Sequence, residues 1–191
     1  MAPGVYNQSL FIGPALSGVR IVGQPGAVLH PHGCHSVDIL GATHGFTMSH
    51  LTIDGRDMAC GQQTTDGVYI NPLASHITLD TVQVLDVSNN GGRTSLGIIS
   101  GASDVTLRNV TVQRTHRNFG DLEGAHCVYL ESSRGDRNKV IGGIYADCGG
   151  YGIQFNDSAG TKAGGTPGDS FRGRQSSTMA NAPKVAVVAL C

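Results

Sequence analysis

Short strand-like cores recur along this chain at nearly constant intervals, and that recurrence restricts the available folds more than any other feature. The cores are Ser36-Val37-Asp38-Ile39, Gly67-Val68-Tyr69-Ile70, Gly97-Ile98-Ile99-Ser100, Cys127-Val128-Tyr129-Leu130 and Gly152-Ile153-Gln154-Phe155. Their first residues lie 31, 30, 30 and 25 positions apart. An eight-residue element follows the early cores: Phe46 to Ile53, Ile77 to Val84 and Val105 to Val112. Each reads as two short strands. In the second, apolar Ile77 and Leu79 alternate with polar residues, Asp80 and Thr81 make a turn, and Val82 and Val84 resume the alternation. One side of every strand is therefore apolar and the other polar. A single unit cannot bury its apolar side alone, so units must stack. The expectation is an all-β chain, a parallel β-helix solenoid of about five coils with three short strands per coil. A leucine-rich repeat needs a helical arm, and no helical periodicity runs between residues 36 and 157. A β-sandwich would not place like residues in columns at a fixed period.

Composition agrees and narrows the function classes. Glycine supplies 28 of 191 residues, about twice the usual share, as tight corners repeated many times require. Charged residues make up 14% and the net charge is −1, which excludes a basic nucleic-acid binder. No apolar run reaches 18 residues, so no membrane span is expected. Cysteines fall at 34, 60, 127, 148 and 191. The number is odd and no pair has C-x-x-C spacing, so the reading is free thiols, although Cys127 and Cys148 can meet if their segments are neighbours.

The opening Pro3-Gly4-Val5-Tyr6, with the stretch Ile21-Val22-Gly23-Gln24-Pro25-Gly26-Ala27-Val28-Leu29, resembles the "P-G-x-Y … I-x-G-x-x-G-A-x-L" lead-in of one group of proteins. Further on, Glu123-Gly124-Ala125-His126-Cys127-Val128-Tyr129-Leu130 and Gly149-Gly150-Tyr151-Gly152-Ile153-Gln154-Phe155 resemble its "H-G-I-Y-L … G-Y-G-I-Q" coils. That group is the right-handed parallel β-helix proteins of the pectin-lyase-like superfamily. The resemblance covers about residues 3 to 157 and is specific for fold rather than activity. It implies a β-helix domain over 1–158. Residues 159–191 form a Gly/Ser/Pro-rich tail with no strand pattern, expected to be disordered. Members have capping sequence ahead of the P-G-x-Y segment, so the chain reads as truncated. The N-terminus lacks the basic and apolar regions of a signal peptide. By resemblance the protein is secreted or displayed at the cell surface, and it reads as a monomer.

The resemblance also implies that substrate lies along the outward face of one sheet. If Val68 and Ile70 face inward, the outward column is Asp38, Tyr69, Ile99, Tyr129 and Gln154. The residues just after the strands are Leu40, Asn71, Gly101, Glu131 and Asn156. The long loops enter these strands, at 54–65, 86–95 and 114–125, and mark the functional side. The expected activity is a lyase that cleaves a uronic-acid polysaccharide by β-elimination; the alternatives are a non-catalytic glycan-binding or surface scaffold module, or an inactive fragment. Arg114, Arg117 and His126 are candidate catalytic groups. Asp121, Glu123 and Glu131 are candidate ligands for Ca²⁺, and Asp38, Tyr69, Asn71, Tyr129 and Gln154 are candidate substrate contacts. His30, His32 and His35 surround Cys34 without matching a specific metal-ligand pattern. The paired acids of polygalacturonases are not found, which sets hydrolysis behind elimination.

Overall fold

A computed structural model of the chain describes residues 1–61, 63–90, 95–115, 125–131, 137–156 and 170–172. Eighteen strands are present among the described residues. In chain order they are β1 (Gly4–Tyr6), β2 (Leu10–Ile12), β3 (Arg20–Val22), β4 (Ala27–Leu29), β5 (His35–Ile39), β6 (Thr47–Ser49), β7 (Thr52–Asp54), β8 (Thr65–Ile70) and β9 (Thr78–Asp80). They continue with β10 (Gln83–Leu85), β11 (Ser95–Ser100), β12 (Thr106–Arg108), β13 (Thr111–Thr115), β14 (Val128–Glu131), β15 (Lys139–Ile141), β16 (Ile144–Cys148), β17 (Ile153–Asn156) and β18 (Ser170–Arg172). A 3-10 turn occupies Pro14–Leu16.

The strands form three parallel six-stranded sheets. Sheet I runs β2-β5-β8-β11-β14-β17, sheet II runs β3-β6-β9-β12-β15-β18, and sheet III runs β1-β4-β7-β10-β13-β16. The chain visits I, II and III in turn and then steps up one strand. This is a β-solenoid, and the eight-residue elements are the strand pairs β6/β7, β9/β10 and β12/β13. β18 falls in the segment expected to lack strands. It joins sheet II beside β15, with Phe171 in register with Val140.

Columns of like residues fill the interior. Val37, Val68, Ile98 and Val128 stack in sheet I, Met48, Leu79, Leu107 and Val140 in sheet II, and Ile53, Val84, Val112 and Tyr145 in sheet III. All twelve are buried in one apolar cluster. A fully buried Val, Leu or Ile contributes roughly 1.5–3 kcal/mol, and each rung is covered by the rungs on either side.

The corners explain the two-residue turns read from the sequence. His50, Thr81, Asn109 and Gly142 all have positive φ, 55°, 56°, 50° and 66°. They stack one above another where sheet II passes to sheet III. The amide of Thr81 donates to the Arg108 carbonyl and that of Asn109 to the Ile141 carbonyl, each at 2.8 Å. These bonds hold a conformation that costs an L-residue roughly 1–2 kcal/mol.

The cysteine reading is corrected. Cys34 is joined to Cys60 and Cys127 to Cys148, and Cys191 lies outside the described residues. Neither pair is close in sequence. Each becomes close because the intervening chain, over separations of 26 and 21, runs almost once round the coil.

Candidate functional site

The outward face of sheet I gathers ionisable and aromatic side chains. Its central column follows the strand register: Phe11, Asp38, Tyr69, Ile99, Tyr129 and Gln154 are paired in succession. A second column lies on the side where the chain enters the sheet. There His35 pairs with Asp66 and Asp66 with Leu96. Backbone bonds from Gly97 to the His126 carbonyl and from Cys127 to the Tyr151 carbonyl extend it to His126 and Tyr151.

Asp66 reaches this face through a break in the alternation. Counting back by twos from inward Ile70 and Val68 would turn Asp66 into the core. At Gly67, however, a Cβ would lie 2.4 Å from Val84 Cγ1 and 2.6 Å from the Gly97 carbonyl oxygen, so this residue also faces inward. Two consecutive inward positions flip the preceding residue outward, as in a β-bulge. Gly97 repeats the geometry one coil later.

The result is a compact acid–base cluster. His35 Nδ1 lies 2.9 Å from Asp66 Oδ2, and the His35 and Tyr69 rings are 5.1 Å apart. Asp66 is only 2% exposed and Asp38 only 8%. The Oδ1 atoms of both are buried with no hydrogen-bond partner among the described residues. The 2.9 Å contact with the Asp66 carboxylate raises His35 above the usual histidine range, against the opposing effect of burial. Burial raises both carboxyls, with His35 pulling the other way in each. Burial also raises Tyr69, reinforced by the charges of Asp38, Asp66 and Glu131. Desolvation thus makes these acids better proton acceptors than exposed ones, while Asp66 favours the cationic form of His35.

The other end of the face is aromatic. The His126 ring stacks 5.7 Å from Tyr129 and 5.2 Å from Tyr151. Burial lowers its pKa to about 4. Its Nδ1 accepts the Tyr151 amide at 2.9 Å, so the neutral ring carries its proton on Nε2. At neutral pH His126 is therefore a hydrogen-bond donor set between two phenol rings.

A pinned loop borders the cluster. The Cys34–Cys60 bond ties the 55–64 segment to the start of β5. Asn89 then clamps it, accepting from the Cys60 amide at 3.1 Å and donating to the Gln63 carbonyl. At the base of the loop, the Thr65 hydroxyl donates to the Ser88 carbonyl at 2.7 Å.

Of the residues singled out from sequence, Asp38, Tyr69, Asn71, His126, Tyr129, Glu131 and Gln154 lie on or directly beside this face. Asn71 Oδ1 caps the following turn by accepting the Leu73 amide at 3.0 Å. Gln154 Oε1 is buried without a partner among the described residues. Arg114 is placed elsewhere. It belongs to β13 in sheet III, and its guanidinium grips both carboxylate oxygens of Asp86, at 2.6 and 2.9 Å. Arg117, Asp121 and Glu123 lie outside the described residues, which leaves Glu131 as the described member of the Ca²⁺ set. One carboxylate does not define a calcium site. The sequence carries no signal for the pairing of His35 with Asp66: His35 reads as one of three neighbouring histidines, and Asp66 has the wrong parity. Comparison with family models, curated proteins and solved structures finds no match to this chain.

Proposed function

We propose that this chain is a polysaccharide-active β-solenoid of the pectin-lyase-like kind that cleaves a uronic-acid-containing glycan by β-elimination on the outer face of sheet I. The observation that carries the reading is the cluster of His35, Asp38, Asp66 and Tyr69. Elimination from a uronate needs three roles: a cation or donor for the sugar carboxylate, a base for the C5 proton, and an acid for the departing O4 oxygen. The cluster offers one residue type for each. His35, whose cationic form is favoured by its contact with Asp66, faces the uronate carboxylate. Asp38, desolvated and raised, takes the C5 proton, which is acidified by the adjacent carboxyl. Carboxylates serve as the base in several enzymes that remove a proton next to a carbonyl. The electron pair left at C5 forms the C4=C5 double bond as the C4–O4 bond breaks. The Tyr69 hydroxyl supplies the proton to O4.

The rest of the face suits a bound chain. Tyr129 and Tyr151 present rings for sugar stacking, and His126 Nε2–H, Asn71 and Gln154 offer polar contacts. Successive strands are about 4.8 Å apart, so Asp38 and Tyr129, three strands apart, are separated by roughly 14 Å along the solenoid. That length holds several sugar units. Two disulfides fit a secreted or cell-surface protein.

A second reading rests on a specific observation, that Asp38 and Asp66 are both raised acids on one face. Two such carboxyls suit hydrolysis by general acid–base catalysis. One assay separates the two. Purified protein is incubated with pectate, alginate and glycosaminoglycans, with calcium or chelator, while unsaturated-uronide absorbance and reducing ends are followed together. Elimination gives both signals in equal number. Reducing ends without absorbance would replace elimination by hydrolysis. Saturable binding with neither signal, weakened by Tyr129→Ala, would leave a glycan-binding module.

A further inference from the structure

From the corner between sheets III and I we infer a binding site for one divalent transition-metal ion, formed by His30, His32 and Asp57. His30 directly follows β4 and Asp57 lies three residues beyond β7, so two adjacent coils contribute ligands at one corner. One ligand atom from each of the three residues lies within 4.8 Å of the other two. His30 Nε2 is 2.9 Å from Asp57 Oδ2, and the two imidazole rings meet edge to face at 5.2 Å. Ligand atoms around a tetrahedral zinc sit about 2.0–2.2 Å from the metal, which places them roughly 3.3–3.5 Å apart. Only a small closure of side chains is therefore needed.

Charged and backbone groups surround the three residues. Asp54 Oδ2 stands 3.6 Å from His30 Nδ1, the nitrogen that faces away from Asp57. A carboxylate at this position can move into hydrogen-bond range and orient the ring when Nε2 binds a metal. Asp54 is itself anchored by Arg56, whose Nη2 lies 2.6 Å away. The backbone holds both segments in place. The His30 amide donates to the Tyr6 carbonyl at 2.9 Å, and the Ala59 amide to the His32 carbonyl at 3.3 Å. The Cys34–Cys60 disulfide closes the same two segments together and removes Cys34 as a ligand. Two imidazoles with one carboxylate select zinc, copper or nickel over calcium or magnesium, which prefer oxygen ligands throughout. The ion would clamp the loop that borders the acid–base cluster. The site itself does not depend on the polysaccharide reading.

The test uses the intact, oxidised chain, freed of metal by chelator and titrated with Zn²⁺ by isothermal calorimetry. One equivalent should bind, and a large excess of Ca²⁺ should not displace it. His32→Gln and Asp57→Asn alter exposed side chains that leave the core untouched, and each should weaken binding at least tenfold. His44→Gln, an exposed imidazole on another corner, should leave the isotherm unchanged. Unfolding midpoints measured alongside verify that the variants are folded. Absence of saturable binding, equal affinity in His32→Gln and Asp57→Asn, or displacement by Ca²⁺ would each overturn the site.

Discussion

Replacing His126 by Gln should flatten the acid side of the stability profile. In the folded chain burial holds this imidazole at a pKa of about 4, against an ordinary value of 6.5 once unfolded. Between those two values the unfolded chain carries a proton that the folded chain refuses. The contribution is therefore fully present above pH 6.5 and is lost as pH falls through the window toward 4. A gap of about 2.5 pH units corresponds to roughly 3 kcal/mol. The hydrogen bond acts in the same direction, because a protonated ring cannot accept the Tyr151 amide at Nδ1. Neighbouring groups titrate with the opposite sense. His35 is raised, so its stabilisation is present below pH 6.5 and is lost as pH rises through its folded value. Asp38 and Asp66 are raised, so the cost of their charge is relieved as pH falls. The informative quantity is thus the difference between wild type and His126→Gln, whose amide oxygen offers an acceptor for the Tyr151 amide. Urea unfolding at successive pH values from about 7.5 down to 4.5 gives both profiles. The gap between them should change by roughly 2–3 kcal/mol across the window in favour of the variant at acid pH. Parallel profiles would show that His126 is not held neutral by burial.

Other substitutions probe the scaffold. Gly97→Ala places a methyl group 2.2 Å from Val112 Cγ1 and 2.4 Å from the Cys127 carbonyl oxygen, and should cost about 2–4 kcal/mol in urea unfolding. A neutral result would place Gly97 away from the core. Tyr145 is 1% exposed and its hydroxyl has no partner among the described residues, so Tyr145→Phe should raise stability by about 1 kcal/mol in the same assay. Replacing Cys34 and Cys60 together by Ser opens a loop spanning 26 residues and should lower stability by roughly 3 kcal/mol, read against wild type with and without reductant.

The sequence disclosed the solenoid because its two periods are simple. Alternation assigns each side chain a face, and the thirty-residue repeat assigns its neighbour on the next coil. Together they place Asp38, Tyr69, Ile99, Tyr129 and Gln154 in one column, with the same register in the structure. Both periods fail where the chain departs from them. Gly67 adds an inward residue, so Asp66 faces outward against its parity and the most desolvated acid of the site is invisible to pattern counting. Cys60 lies in the loop between β7 and β8, outside the strand repeat, so no repeat spacing connects it with Cys34. Arg114 drew attention as part of a charged run, but its strand belongs to sheet III, where Asp86 one coil below satisfies it. Local composition does not reveal which side of a triangular coil a loop residue serves.

The proposed chemistry makes its most direct demand on Asp38. On whichever polyuronate the wild-type protein cleaves, the initial rate of unsaturated-uronide formation should be measured for wild type and for Asp38→Asn, with the unfolding midpoint of each. The amide keeps the shape of the side chain and cannot accept the C5 proton. The rate should fall at least a hundredfold while the midpoint holds or rises, since the variant removes a charge that burial disfavours. Asp38→Asn turning over at the wild-type rate would contradict the assignment of this face as the catalytic site.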